Sequence, residues 1–463
     1  MIAKFLLALV LAAPVLAAKR PNLLLITVDD MNRDSVGAYG CPIPDITPNI
    51  DRLASQGIQF DRGFVNVAIC QPCRAVLMTG RYPQTSGALG FDKIKPGVPT
   101  LPEALKKAGY YNSLIAKEAH VVPSRHAAFD RIDKQRDLGG GRSAGAYAKA
   151  VRSAIREAGE ANKPFFITAN AADPHRPFAG SSGDAFKKVP YPREIDPKDV
   201  PVPGFLPDLP DIRTELATYF QSVARADQVV GTILDELEKS GEAGNTLVLF
   251  LSDHGMPLPF AKTNCYLTSN ITPWILRWPG HIDPGSSDKK HFVSGIDVAP
   301  TFLDAAGLGN LEGADGSSFL PLLKGGEQPA RNKVFTFHQK PFSGKRLPMR
   351  AVNDGDYLYI WNGWSDGETQ FRNESMSGLT FKAMNNADDP AIRARADFYL
   401  HRTREELYDI RKDPDCLHNL LDEPGGKYSG QTSAMTKALW HWMKKVDDPE
   451  LETFEDQVEL ALD

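Results

Sequence analysis

The chain has 463 residues, of which 42% are hydrophobic and 24% charged, and its formal net charge is -5 at pH 7. This length can form one large domain with a sizeable core and a smaller second domain. The slightly acidic balance excludes a basic field that would hold nucleic acid or an anionic membrane without specificity. An anionic substrate would therefore need local cations.

The first 18 residues have the pattern of a secretory signal peptide, with Lys4 before an apolar run and small residues after it. The alternative is an N-terminal membrane anchor, but the apolar run from Phe5 to Ala13 is short for a span of about 20 residues. We therefore predict an exported protein (periplasmic or extracellular, or lysosome-like in a eukaryote). We predict no stable membrane span in the mature chain, and the sequence indicates no oligomeric state.

Three apolar runs end in polar side chains that are able to bind ligands. The runs are "PNLLLITVDD", "KPFFITANAADPH" and "GNTLVLFLSDHG", and each suits a parallel strand buried on both faces. Sites in open α/β sheets form outside the carboxyl ends of the strands, so we expect the three ends to converge. The polar residues at these ends are Asp29, Asp30, Asp173, His175, Asp253 and His254.

Helical patterns lie between the predicted strands. Apolar residues recur at three- and four-residue steps from Asp211 to Lys239, and shorter amphipathic segments end near Gly109 and Gly307. This alternation predicts a mostly parallel sheet covered by helices on both faces. Residues 176–210 are rich in proline, glycine and charge, and we predict a long loop there that forms part of a substrate rim.

The composition changes after residue 335, where short strands and turns precede a helix predicted from about Thr432. We therefore divide the chain into a signal peptide (1–18), a large α/β domain (19–335) and a smaller α+β subdomain with a short antiparallel sheet (336–463).

Asp29, Asp30, Asp253 and His254 together suggest a metal site. Each aspartate alone could cap the turn after a strand. Three carboxylates and one imidazole at two strand ends instead suit a hard divalent cation, Ca²⁺ or Mg²⁺, although the histidine is compatible with several metals.

Cys70 and Cys73 form a Cys-x-x-Cys pair. A thioredoxin-type redox pair belongs in a small domain, and a zinc site needs a second pair of similar spacing. Cys41, Cys265 and Cys416 are isolated, so neither interpretation is favoured. With five cysteines, at least one thiol has no intramolecular partner.

The segment "CQPCRAVLMTGR" resembles the signature of type I, formylglycine-dependent sulfatases, Cys-x-Pro-x-Arg followed by Thr-Gly. "LLLITVDDM", "AKEAH", "DPHRPF", "SDHG" and "ELYDIRKDP" also occur in the order of that family, between residues 20 and 422. The resemblance implies an alkaline-phosphatase-like α/β sandwich with a large, mostly parallel central sheet.

Within the family, "IDPKDVPVPGFLPDLP", "MPLPFAKTNCY" and "PMRAV" resemble sulfamidases (N-sulphoglucosamine sulphohydrolases), whereas "SDHG" and the K-x-x-H spacing resemble iduronate-2-sulfatase. The resemblance implies hydrolysis of sulfate from a sulfated sugar, and it favours N-sulfoglucosamine. The alternative is an O-sulfatase acting on a sulfated polysaccharide or glycosaminoglycan.

The resemblance also implies that a formylglycine-generating or other sulfatase-maturating enzyme converts Cys70 to formylglycine. The hydrate of this residue is the nucleophile and a ligand of one divalent cation, Ca²⁺. The implied metal ligands are Asp29, Asp30, Cys70, Asp253 and His254.

The remaining implied roles belong to cationic and imidazole side chains. Arg74 steadies the hydrate, Lys117 and Lys262 bind the sulfate oxygens, His120 helps to expel sulfate and His175 is the general acid. Positive groups of this kind stabilise negative charge that develops in a transition state.

Four residues depart from the family pattern. His254 stands where many members, sulfamidases included, have asparagine, and Lys262 stands where the sulfamidase pattern has arginine. His120 follows Lys117 by three residues instead of two, and Cys73 occupies a position usually held by serine.

Two other functions have to be distinguished from a sulfatase. A phosphatase or phosphodiesterase of the same superfamily usually binds two metals and uses serine or threonine, which Cys70 argues against. A non-catalytic protein that binds sulfated glycans is expected if Cys70 is never converted.

Overall fold

The computed structural model describes residues 20–328 and 331–460, and the predicted signal peptide lies outside them. In the described part of the chain, no helix has both the length and the apolar character needed to cross a membrane.

The strands are β1 (Asn22–Asp29), β2 (Ile58–Phe60), β3 (Gly63–Phe64), β4 (Tyr111–Ile115), β5 (Arg131–Asp133), β6 (Phe165–Pro174), β7 (Thr246–Ser252), β8 (Trp274–Arg277), β9 (Ser286–Asp288), β10 (Val293–Ser294), β11 (Val334–His338), β12 (Met349–Asn353), β13 (Tyr357–Asn362) and β14 (Glu405–Asp409). The α-helices are α1 (Pro48–Ser55), α2 (Cys70–Thr79), α3 (Pro83–Ser86), α4 (Leu101–Lys107), α5 (Ala144–Glu160), α6 (Pro210–Lys239), α7 (Leu267–Asn270), α8 (Val298–Ala305), α9 (Leu379–Asn385), α10 (Pro390–His401), α11 (Ser429–Lys445) and α12 (Leu451–Gln457).

An eight-stranded sheet with the order β5-β4-β6-β1-β7-β8-β2-β9 forms the centre of the molecule. Only the two pairings of β8, with β7 and with β2, are antiparallel. The mostly parallel sheet predicted from the sequence is therefore confirmed. The three apolar runs form β1, β6 and β7, which are adjacent and parallel.

Alternating side chains of β1 enter two different cores. Leu24 and Ile26 belong to the core that includes α5 and α6, whereas Leu23 and Leu25 belong to the core that includes α2, α4 and α8. All four side chains are at most 1% exposed, and full burial of such a side chain stabilises the fold by about 1.5–3 kcal/mol relative to exposure. Burial on both faces explains the continuous apolar run.

The predicted helices are present, with shifted boundaries. The helix predicted from Asp211 begins one residue earlier, with Pro210 in its first turn. The segment before Gly307 forms β10 and a 3₁₀ turn before α8, because a capping box between Ser294 and Asp297 starts the helical part. The long loop between β6 and α6 contains only a 3₁₀ turn at Pro197–Asp199 among its regular elements.

The C-terminal part contains an antiparallel sheet with the order β11-β12-β13-β14, as predicted. Leu358 and Ile360 of β13 pack in the core that also holds β1, whereas Tyr359 and Trp361 pack with α11 and α12. A boundary between residues 335 and 336 would divide β11, so we propose that the subdomain starts before Val334. The helix predicted from Thr432 corresponds to α11, which begins earlier, at Ser429, and α12 follows it.

Candidate active site

The carboxyl ends of β4, β6, β1 and β7 lie at one edge of the large sheet because these strands are parallel. Polar side chains from these ends, from the start of α2 and from the loop after β7 meet there. The structure brings together the predicted residues Asp29, Asp30, Cys70, Arg74, Lys117, His120, His175, Asp253, His254 and Lys262.

Arg74 connects the three central strand ends. Its buried guanidinium donates from Nη1 to Thr27 Oγ1 (2.7 Å) and Asn170 Oδ1 (2.8 Å), which lie on β1 and β6. Nη2 donates to Asp29 Oδ1 (3.1 Å) and Asp253 Oδ2 (2.8 Å), at the ends of β1 and β7. Because removal of one partner from a buried ion pair is strongly destabilising, Arg74 holds the strand ends in one arrangement.

Asp29, Asp30, Cys70 and His254 each offer one possible metal-binding atom, and these four atoms lie within 4.8 Å of one another. All four side chains are buried. Carboxylate oxygens are the ligands preferred by Ca²⁺ and Mg²⁺, and an imidazole nitrogen extends the range to transition metals. The group therefore has the donors for a divalent cation, but it does not identify the ion.

The orientation of His254 fits a cation. Its Nδ1 lies 3.0 Å from the carbonyl oxygen of Gly255, which can only accept, so Nδ1 carries the proton. Nε2 then faces Asp30 Oδ1 at 3.2 Å and Cys70 Sγ at 3.5 Å. Burial lowers the pKa of His254 to about 4, so at neutral pH Nε2 and the carboxylate are two facing acceptors. A cation between them would remove that repulsion.

Asp253 is oriented differently from the other predicted ligands. Its Oδ2 pairs with Arg74, and its Oδ1 accepts a hydrogen bond from the backbone N–H of Asp30 at 3.2 Å. Burial and the charge of Asp29 raise the pKa of Asp253 well above its usual range. The side chain borders the four-atom group without joining it, so its service as a ligand stays a prediction.

Two lysines place positive charge beside Cys70. Lys117 pairs with Asp29, while Lys262 Nζ lies 2.9 Å from both carboxylate oxygens of Asp30. Burial opposes the charged form, yet the charge of Asp30 raises the pKa of Lys262 well above its usual range. The ammonium group therefore stays charged at neutral pH and is able to bind an anion next to residue 70.

The two candidate catalytic histidines differ in their surroundings. Burial and the charge of Lys117 lower the pKa of His120 to about 3, so this ring is neutral at physiological pH. His175 donates from Nδ1 to the carbonyl of Arg176 at 2.6 Å. Its Nε2 is thereby directed toward Asp30 Oδ2 (3.9 Å) and the carboxylate of Glu374 (3.8 Å), inside the site.

Three residues at the site have a strained backbone conformation. Asp30 (φ 71°), Lys117 (φ 54°) and Thr263 (φ 64°) adopt the left-handed conformation, which side chains other than glycine rarely take. Strain of this kind persists only when surrounding contacts impose it, and it is common at functional sites.

The environment of Cys70 opposes a redox role for the Cys-x-x-Cys pair. Cys70 is the first residue of α2, a position that often lowers a thiol pKa. Burial and the charge of Asp29 instead raise the pKa of Cys70 well above its usual range. All five cysteines are free thiols, and the isolated positions of the other three leave no second pair for zinc.

A cavity of about 380 Å³ opens onto Cys70 and Lys262. Its outer wall includes Glu374, which pairs with Lys262 and had not been predicted as a site residue. Glu374 lies between β13 and α9, in a segment without a recognisable motif, so no signal in the sequence could have identified it. A larger cavity of about 690 Å³ lies near Asn22 and Phe165, the first residues of β1 and β6. It is at the end of these strands away from the candidate site and contains none of the predicted residues.

The fold is alkaline-phosphatase-like, and the candidate site combines the buried thiol of Cys70 with carboxylate and imidazole donors that are able to hold a divalent cation. A protein-family model described as Sulfatase matches residues 21–308, which is more than half of the chain. The chain belongs to the sulfatase family and is a sulfuric ester hydrolase.

Relatives cover nearly the whole chain. Human N-sulphoglucosamine sulphohydrolase is 29% identical over 482 residues, covering 96% of this chain and 93% of the relative. An ulvan-active sulfatase of Formosa agariphila is 30% identical over 442 residues, covering 93% and 81% of the two chains. The solved structure of BT4656 in complex with its substrate D-glucosamine-2-N,6-O-disulfate has a TM-score of 0.68 at 19% identity, covering 95% of this chain and 100% of that chain, which supports the fold.

Proposed function

We propose that the protein removes sulfate from a sulfated sugar through a formylglycine formed from Cys70, with N-sulfoglucosamine as the preferred substrate. The observation that carries this proposal is the arrangement of Lys117, Lys262 and the four-atom metal group around residue 70. Burial and the charge of Asp29 raise the pKa of the Cys70 thiol, so the proposal assigns nucleophilic attack to formylglycine and not to the thiol.

Each candidate residue then has one task. A divalent cation, when bound, would supply positive charge beside residue 70 and the sulfate oxygens. Lys117 and Lys262 hold the sulfate oxygens, and Arg74 keeps Asp29 and Asp253 in place. His175 donates a proton from Nε2 to the departing nitrogen or oxygen.

Neutral His120 is suited to accept a proton from the hydrated side chain of residue 70 as sulfate leaves. A hydrated aldehyde has two hydroxyl groups. One forms the bond to sulfur and the other allows the aldehyde to re-form, an exit that a plain serine or cysteine lacks.

The substrate preference rests on the similarity to human N-sulphoglucosamine sulphohydrolase and on the sulfamidase-like segments of the sequence. The second candidate is an O-sulfatase acting on a sulfated polysaccharide or glycosaminoglycan, which the similarity to an ulvan-active sulfatase favours. We further propose that the protein is exported, binds Ca²⁺ and requires a sulfatase-maturating enzyme as a transient partner.

The experiment is a desulfation assay of the converted protein on matched N-, 2-O- and 6-O-sulfated saccharides, with released sulfate measured directly. The proposal expects the highest kcat/KM on N-sulfoglucosamine. Release from O-sulfated sugars alone would establish the second candidate. No release from any substrate by fully converted protein would support a glycan-binding protein instead.

Glu374 is expected to weaken anion binding, because its carboxylate competes with sulfate for Lys262. A charge about 4 Å away changes an interaction by on the order of 1 kcal/mol even in water, which corresponds to about a fivefold effect. Glu374→Gln should therefore lower the inhibition constant of inorganic sulfate by about three- to tenfold.

The matched control for this variant is Glu368→Gln, which neutralises an exposed glutamate on the same segment. It should leave sulfate inhibition unchanged. Weaker or unchanged inhibition in the Glu374 variant would show that the carboxylate does not oppose the anion.

A further inference from the structure

Phe342 is unusually exposed for a large apolar side chain, with 80% of its surface accessible to solvent. It lies at the cavity that opens onto Cys70 and Lys262. Phe91 and Pro341 line the same cavity, so Phe342 is part of an apolar wall, and ligand-binding pockets are lined mainly by apolar and aromatic side chains with a few polar groups.

The ring of Phe342 packs on another aromatic side chain that lines the cavity. Its ring packs edge-to-face on Phe91, with centroids 5.0 Å apart and planes at 89°, and Phe91 packs similarly on His120 at 5.9 Å. An ion pair of 2.9 Å between Lys340 and Asp92 ties together the two segments that carry the phenylalanines. The rings of His120, Phe91 and Phe342 are therefore in contact one after the other, and the exposed ring is connected to a candidate catalytic histidine.

Arg372 lines the same cavity and is exposed. Its guanidinium donates to Gln370 Oε1 at 3.1 Å, and no carboxylate of the described residues forms an ion pair with it. Glu374, two residues away, is already paired with Lys262. Arg372 therefore presents an un-neutralised planar cation, the group best suited to hold a carboxylate or a sulfate.

We propose that Phe91, Phe342 and Arg372 form a sugar-recognition rim that selects a pyranose ring carrying a second acidic group. Resting on the proposed function, this inference places the scissile sulfate between Lys262 and residue 70. The apolar face of the sugar packs on Phe342, and Arg372 binds a second anionic group. The cavity is large enough for about one sugar residue, since small-ligand sites start near 300 Å³.

The second anionic group has two possible sources with the same chemistry. It is either another sulfate on the same ring or the carboxylate of a uronate in the next sugar. Both place an oxyanion within reach of a guanidinium fork.

The rim is tested by calorimetry, which measures the affinity of sugars for the full-length Cys70→Ala protein. This variant cannot turn over substrate. The probes are glucosamine N-sulfate, glucosamine N,6-disulfate, an N-sulfoglucosamine–uronate disaccharide and inorganic sulfate. In this background, Phe342→Ala should weaken binding of all three sugars by about three- to tenfold, the usual range for one aromatic contact, and leave sulfate binding unchanged. Phe342→Trp should restore the sugar affinity.

Arg372→Gln should reduce the preference for the doubly acidic sugars over glucosamine N-sulfate by about fivefold, as expected for one charge-assisted contact at a rim. A larger loss with the disulfate assigns the contact to the same ring, and a larger loss with the disaccharide assigns it to the next sugar. Leu417→Ala, which truncates another exposed apolar side chain outside the cavity lining, is the matched control and should change nothing.

The proposed rim would be contradicted if the Phe342→Ala variant kept its affinity for the sugars, or if it lost affinity equally for sulfate and for the sugars. Failure of the proposed function would appear differently, as absence of sulfate release from the converted wild-type protein while these binding differences persist.

Discussion

Cys70→Ala is expected to reduce sulfate release by at least about a thousandfold, as loss of the nucleophile does in other hydrolases that form covalent intermediates. The fold should be retained, because the one hydrogen-bond contact recorded for the Cys70 side chain is that of 3.5 Å with His254, whereas Arg74 joins the strand ends independently. Released sulfate measures the activity, and the mass of the peptide that spans residue 70 measures conversion of the wild-type cysteine to the lighter formylglycine.

Cys73→Ser is the matched control, because Cys73 is buried on the same helix one turn later and has no proposed role. It should convert normally and keep its activity. Activity that survives in Cys70→Ala, or that is lost in a normally converted and folded Cys73→Ser protein, would contradict the assignment of the nucleophile.

Removal of divalent cations with a chelator is expected to abolish activity and lower the melting temperature. The donors contributed by Asp29, Asp30 and His254 are buried, so an ion that binds only the folded chain stabilises it by about 2.7 kcal/mol at 100 times its dissociation constant. Titrating Ca²⁺ and Mg²⁺ separately into the stripped protein, while following unfolding by heat, measures the preference without relying on turnover.

Asp30→Asn should lose most of the stabilisation by cations, because it removes a charged oxygen ligand that also faces Nε2 of His254. Asp235→Asn, at an exposed aspartate paired with Arg52, should respond to cations as the wild type does. An identical thermal response to cations in both variants, or none in the wild type, would show that the four-atom group does not bind the ion.

The predicted parallel sheet was recoverable from sequence because β1, β6 and β7 are buried on both faces and therefore read as continuous apolar runs. Helix boundaries were less accurate. The capping box at Ser294 starts a turn in a segment whose apolar pattern extends further toward the N-terminus. A division at residue 335 would cut through β11, because a change in composition does not mark hydrogen-bonded pairing.

The candidate metal ligands and the Cys-x-Pro-x-Arg signature could be named from sequence because they occur in short local motifs at strand ends and at the start of one helix. Pairing in the sheet then brings Asp29 beside Asp253, more than two hundred positions apart. The orientation of Asp253 toward Arg74 was decided by tertiary contacts, since a motif specifies the side chain and not the partner it faces.

The outer wall of the cavity was decided entirely by the folded chain. Phe342, Arg372 and Glu374 lie outside every motif and line the same cavity as residue 70 only because the C-terminal subdomain packs against the large domain. The proposed chemistry at the sulfate group therefore depends on local motifs, whereas the proposed recognition of the sugar depends on distant segments. Their packing leaves no periodic or local signature in the chain.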